Sequence, residues 1–189
     1  VPDRADLRRH VALIGLSGTG KSTVAPLLAR RLGWATADVD RLVERRCGAT
    51  VAEVFSERGE PAFRELESEV LAEVLDGPAA VVATGGGAVL APANRALLRR
   101  ATTAVWLRSD VEQLVARLTS TAERRPLLAD DAESALRRLA EEREPLYDEV
   151  ADLVVDVTDL QPQEVVDRIE RDLRAVDDGA GPRVRREPT

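Results

Sequence analysis

Eight consecutive residues constrain this chain more than any others: Gly15-Leu16-Ser17-Gly18-Thr19-Gly20-Lys21-Ser22, spelling G-x-x-x-x-G-K-[ST]. Before them, Val11 to Ile14 is a short apolar run of the kind that forms a buried strand. After them, Thr23 to Leu32 continues with Val24, Leu27, Leu28 and Leu32 on one side, as a helix packing on a sheet would. A loop that cradles phosphate must turn its backbone N–H groups inward, and glycines allow those dihedrals without a Cβ clash. The following helix aims its N-terminal donors and positive dipole end at the anion. Lys21 can reach the β- and γ-phosphates, and the Ser22 hydroxyl can ligate Mg²⁺. A glycine-rich turn spelled by chance is the alternative, but the strand before and the helix after are the context a phosphate loop requires. Gly18, Thr19, Gly20, Lys21, Ser22 and Thr23 are therefore the expected nucleotide contacts, with Lys21 catalytic. Lys21 is also the chain's only lysine. A compact ammonium and a planar guanidinium are not interchangeable in a tight loop, which fits one lysine kept here in an arginine-biased chain.

The 189 residues suit one α/β domain, and 44% hydrophobic content makes it globular. A formal charge of −7 and a pI near 5.0 argue against general nucleic-acid binding. No apolar run approaches the roughly 18–20 residues of a membrane span, and residues 1–9 lack a signal-peptide core. Cys47 has no partner for an intrachain disulfide. These features predict a cytoplasmic protein without membrane or nucleic-acid partners.

A short second strand is predicted over Thr36 to Asp38, ending in Asp38-Val39-Asp40. Ligands in open α/β sheets gather at the carboxyl ends of strands. One carboxylate there could face a Mg²⁺ shell and the other a hydroxylated acceptor; alternatively, Asp40 merely caps a helix over Arg41–Cys47. Thr50 to Asp76 is strongly helical, broken at Gly59. Its apolar side carries Phe63, Leu66, Val70, Leu71 and Val74, and Arg64, Glu65, Glu67 and Glu69 read as a solvated face. A third strand over Ala79–Thr84 ends in Gly85-Gly86-Gly87, which permits close backbone approach to a ligand. It leaves no carboxylate at that strand end, so Asp38 is the expected acid on the metal side. Helices are predicted over Pro92–Arg100, Asp110–Leu118, Ala132–Glu144 and Pro162–Val176, and strands over Thr103–Leu107 and Leu153–Val157. Thr119–Asp131, with Arg124-Arg125-Pro126, reads as a mobile loop, and residues 177–189 as a disordered tail. Residues 1–176 then form a single domain. Trp106 is expected in the core, and His10 as structural or solvated.

Taken together, Asp38-Val39-Asp40, Phe63-Arg64-Glu65 with Glu67, Gly85-Gly86-Gly87, Arg125-Pro126-Leu127-Leu128 and Arg143-x-Pro-Leu-Tyr147 follow the order and spacing of the shikimate kinases. The chain resembles that family from about Val11 to Leu173. The resemblance implies an α/β P-loop kinase fold: a five-stranded parallel sheet of order 2-3-1-4-5 flanked by helices. It implies a substrate-binding segment at about 39–67 and a lid around 119–131. It further implies transfer of the γ-phosphoryl of ATP, with Mg²⁺, to the 3-hydroxyl of shikimate. On matching positions, Asp40 would accept hydrogen bonds from substrate hydroxyls and take the attacking proton. Arg64 and Arg143 would hold the substrate carboxylate, as planar guanidinium groups suit. The Gly86 and Gly87 backbone would lie against the ring, lid Arg125 would meet the phosphates, and Asp38 would reach Mg²⁺ through water. Pro162 matches one side of the adenine slot. The family usually has an arginine seven residues before the lid arginine. Here that position is Leu118, and a one-residue insertion in the lid would bring Arg117 into the role. A monomer is expected.

Two rivals share the phosphate loop. A gluconate-type sugar-acid kinase would share the sheet as well, but gives no reason for Arg64 and Arg143 around a glycine-lined pocket. A regulatory P-loop protein without turnover gives no reason for Asp40 or the lid arginine.

Overall fold

Successive residues of the first strand, β1 (His10–Ile14), point to opposite sides, and both sides are covered. Ala12 and Ile14 pack in one cluster, Val11 and Leu13 in another. This is why the strand is apolar throughout instead of alternating: a parallel sheet buried on both faces has no wet side. The computed structural model describes residues 10–120 and 132–177. In chain order the elements are β1, α1 (Lys21–Leu32), β2 (Ala35–Asp38), α2 (Val39–Cys47), α3 (Val51–Asp76), β3 (Ala80–Ala83), a 3₁₀ turn (Ala88–Leu90), α4 (Pro92–Ala101), β4 (Thr102–Arg108), α5 (Val111–Ser120), α6 (Ala132–Val150), β5 (Leu153–Asp156) and α7 (Pro162–Asp177).

The five strands are all parallel in the order β2-β3-β1-β4-β5. The order reverses at β1, so the crevice beyond its carboxyl end is where the topology gathers ligands. On one face α1 and α7 cover the sheet through Val24, Leu28, Val165, Ile169 and Leu173. On the other, α3 contributes Phe63, Val70 and Leu71, and α6 contributes Leu136, Ala140 and Tyr147. Trp106 is buried there with its ring centroid 5.7 Å from that of Tyr147. His10 is fully buried, its Nε2 3.1 Å from the Leu75 carbonyl oxygen, so its role is structural. Among the described residues, no helix is long and apolar enough to cross a membrane.

Two local expectations need correction, and the predicted break in the long helix holds. Helix α2 starts at Val39, and its cap is Asp38, whose Oδ1 accepts from the Arg41 N–H at 3.2 Å. Asp40 lies in the first turn, so the reading of Asp40 as a cap fails. Helix α3 opens with a capping box between Thr50 and Glu53 and breaks where predicted, at Gly59, which takes the non-helical φ 79°, ψ 165°. Helix α6 does not stop at Glu144. It carries Arg143 to Tyr147 inside it, Pro145 included. Proline removes one helical hydrogen bond, but burying Tyr147 and Val150 keeps the following turn in place. The predicted lid, apart from the end of α5, and the tail from residue 178 lie outside the described residues.

Candidate active site at the carboxyl end of the sheet

The loop after β1 takes the conformation its glycines predict. Gly15, Gly18 and Gly20 have φ of 137°, 89° and 89°. A Cβ on Gly15 would stand 2.5 Å from the Leu107 carbonyl oxygen, so no other residue fits there. Buried Thr19 donates its hydroxyl to the Leu16 carbonyl at 2.9 Å, tightening the turn. The Lys21 ammonium folds back and donates to the carbonyls of Gly15 and Leu16, each at 2.7 Å. It is thus held over the loop it serves. Ser22 and Thr23 follow, exposed, in the first turn of α1. Ser22 and Asp38 line one cavity of about 210 Å³ between α1, β2 and α2. One Asp38 oxygen caps α2, and the other carries no hydrogen bond among the described residues. An exposed hydroxyl and a carboxylate sharing a small cavity suit a hard, oxygen-seeking cation such as Mg²⁺.

Burial depresses the pKa of Lys21 to about 8, although Asp40 and Asp38 oppose the shift. A phosphate-bearing ligand favours the ammonium form, so the bound lysine must titrate higher than the free one. Affinity for ATP without divalent cation should therefore be greatest below pH 8. As pH rises through 8 it should fall, by up to about tenfold per unit. Calorimetric titration from pH 7 to 9.5 checks this, and a flat affinity would contradict it.

Beyond the end of β3 the three glycines let side chains crowd the backbone. A Cβ on Gly85 would collide with Glu67 Oε1 and stand 2.7 Å from Asp40 Oδ1. On Gly87 it would collide with the Arg64 guanidinium. On Gly86 it would lie 3.2 Å from both the backbone nitrogen and the hydroxyl of Ser17 in the phosphate loop. On its other side Gly86 is tied to α6, where the Tyr147 hydroxyl donates to its carbonyl at 2.5 Å. The glycine turn thus joins the phosphate loop, the start of α2, the middle of α3 and the end of α6.

Arg64 donates from Nη1 to Glu67 Oε2 at 2.7 Å. From Nε and Nη2 it donates to Glu60 Oε1 at 3.2 and 3.0 Å. Its guanidinium carbon lies 5.3 Å from the Phe63 ring centroid and 5.7 Å from that of Phe55. Arg143, from α6, reaches the same neighbourhood, since its charge acts on Glu67 and Tyr147 as Arg64's does. The Arg143 guanidinium hydrogen-bonds the Tyr147 hydroxyl, while its buried Nε has no partner among the described residues. Burial raises the pKa of Asp40, Asp38 raises it further, and Lys21 and Arg64 pull it back. Glu67 is also raised by burial, against Arg64 and then Arg143. The region therefore holds two carboxyl groups with weakened acidity and two guanidinium groups, one with an unmet buried donor. Such a pocket suits an anionic molecule that also offers hydroxyls.

The structure thus brings together Lys21, Asp40, Arg64, Gly86, Gly87 and Arg143 from five elements and turns. Pro162 stands exposed at the start of α7. The backbone of Arg117 lies in α5, and its side chain and Arg125 are outside the described set. The reading of Glu67 as a solvated charge is wrong: it is 0% exposed. A signal was present, because Glu67 falls four after Phe63 and four before Leu71 in the apolar stripe of α3. Tyr147 also received no role of its own, and its link to Gly86 spans 61 residues that no local pattern encodes.

The family model for shikimate kinase matches residues 17–174. A shikimate kinase of Pseudomonas entomophila is 46% identical over 165 residues, 86% of this chain and 95% of that one. The structure of shikimate kinase from Acinetobacter baumannii in complex with shikimate is 36% identical, with TM-score 0.82, over 89% of this chain and 93% of that one. A gluconokinase from Sinorhizobium meliloti aligns over 92% of this chain and 95% of its own with TM-score 0.58, but at 18% identity it shares the fold alone. With the family model covering most of the chain and these identities sustained over nearly its whole length, the chain belongs to the shikimate kinase family.

Proposed function

We propose that the protein transfers the γ-phosphoryl group of ATP to the 3-hydroxyl of shikimate, giving shikimate 3-phosphate and ADP. The observation that carries this reading is the convergence of Asp40, Arg64 and Arg143 on the glycine turn beside the phosphate loop. The new bond forms between the acceptor oxygen and the γ-phosphorus, and the bond from that phosphorus to the bridging oxygen of the leaving ADP breaks. The hydroxyl proton passes to Asp40, whose raised proton affinity suits a group that must accept it. Lys21 exchanges the Gly15 and Leu16 carbonyls for phosphate oxygens, so its charge follows the charge of the transferring group. Arg64 and Arg143 take the acceptor's carboxylate, and the buried Nε of Arg143 gains the partner it lacks. The Gly86 and Gly87 backbone lies against the acceptor ring. The Ser22 hydroxyl and, through water, Asp38 would hold Mg²⁺, which would supply positive charge to neutralise the phosphates.

The resemblance assigns Arg125 to the phosphates, and Arg117 and Pro162 to the adenine slot. The reading also takes residues 1–176 as one domain, with acceptor segment 39–67 and lid 119–131, acting as a monomer in the cytoplasm. ADP release should be rapid with shikimate and Mg²⁺-ATP, and near background with gluconate or no acceptor. Turnover with gluconate but not shikimate would overturn the assignment. Release independent of any acceptor would reduce the protein to an ATPase.

A further inference from the structure

Arg64 has two carboxylate partners, and they differ in kind. Glu67 is fully buried and holds Nη1 at 2.7 Å, a short charge-assisted bond. Glu60 is exposed, and it offers a single oxygen shared between Nε at 3.2 Å and Nη2 at 3.0 Å. That arrangement uses the side-on fork of the guanidinium poorly. A carboxylate presenting one oxygen to each nitrogen makes two short parallel bonds where Glu60 makes two long ones. The guanidinium does not need Glu60 to stay in place. The Glu67 bond, the Phe55 and Phe63 rings and the close approach of Gly87 already define its position. Glu60 also follows directly on the non-helical Gly59, at the kink of α3, where backbone and side chain can shift without breaking a regular helical turn.

We propose that the Glu60 carboxylate is an internal occupant of the Arg64 fork that the acceptor's carboxylate must displace, so that Glu60 sets acceptor affinity by competition. The inference rests on the acceptor reading above and adds a residue to it. Glu67 holds the guanidinium, and Glu60 keeps its outward edge satisfied until an acceptor with two carboxylate oxygens arrives. A neutral ligand of the same shape would gain nothing from the exchange. The contact thereby weakens the binding of acid acceptors and leaves that of their uncharged analogues unchanged.

The test is the sign of one change. Glu60→Gln and Glu60→Ala should lower the calorimetric Kd and the KM for shikimate by about 1.5- to 5-fold, the range an exposed ion pair contributes. KM for ATP and the melting temperature should hold. With the amide of shikimate in place of the acid, the same variants should bind no more tightly than wild type. If Glu60 instead braces Arg64 for catalysis, both variants must raise KM for shikimate, and that result overturns the proposal, as does an unchanged value. Wild-type turnover of shikimate in the same assay is the control. If it is absent, the acceptor reading fails and this inference falls with it; if it is present and the variants do not tighten binding, only the competition fails.

Discussion

Asp40→Asn is expected to lower kcat for shikimate phosphorylation by about 10²- to 10⁴-fold, the usual contribution of a positioned acid–base group. The melting temperature should hold or rise. Loss of a helix cap cannot explain such a defect, because Asp38 caps α2 and Asp40 lies beyond it in the first turn. The Asp40 carboxyl is packed against Gly85, with its pKa raised first by burial and then by Asp38. A carboxyl whose folded pKa exceeds its unfolded value binds its proton more tightly in the native state. Stability therefore falls as pH rises from the ordinary carboxylate pKa through the folded one, and above the folded pKa the full cost of the buried charge remains. Asparagine keeps the shape and removes that cost. For the same reason, the acid limb of the wild-type kcat/KM profile should lie above the ordinary range of an aspartate. A variant that retains wild-type kcat/KM would show that Asp40 only shapes the pocket.

How legible each part of the site is from sequence follows from the range of the interactions that make it. The phosphate loop is local: three glycines at positive φ, a lysine folded over its own loop and a helix starting at once can all be read from Gly15 to Ser22. The apolar run of β1 likewise announces a strand covered on both faces. Whether Asp40 caps the helix or faces a ligand could not be decided from spacing, since it depends on which residue keeps extended dihedrals while Arg41 turns its N–H back, and that residue is Asp38. Periodicity placed Glu67 in the apolar stripe of α3, but its charge argued for the surface. Only the Arg64 guanidinium and the room left by Gly85 make its burial possible. Proline at position 145 argued for a helix end. The helix continues because Tyr147 has a partner on a turn 61 residues away. Strand order is equally non-local. It came from the resemblance to a family and not from any pattern in the strands themselves.

Removing either guanidinium of the proposed carboxylate clamp should cost roughly 10- to 150-fold in kcat/KM for shikimate. A hydrogen bond to a charged group contributes about 1.5–3 kcal/mol, which sets that range. KM for ATP should change little. The two losses should be less than additive, since both groups serve one carboxylate. Lysine should rescue each position only partly, because it cannot present a planar fork. The structure separates the two variants by stability. Arg64→Ala strips buried Glu67 of its hydrogen-bonded counter-charge and should lower the melting temperature. Arg143→Ala removes a guanidinium whose Nε has no partner among the described residues and which hydrogen-bonds Tyr147 and not a buried carboxylate, so its stability cost should be smaller. Adding Glu67→Gln to Arg64→Ala should restore much of the lost stability and none of the lost affinity for shikimate, which separates folding from recognition. An acceptor analogue without the carboxylate should be poor with wild type and nearly indifferent to either substitution. If Arg64→Ala and Arg143→Ala both keep wild-type kcat/KM for shikimate, the two arginines do not bind the acceptor, and the phosphate loop alone would stand among the assigned sites.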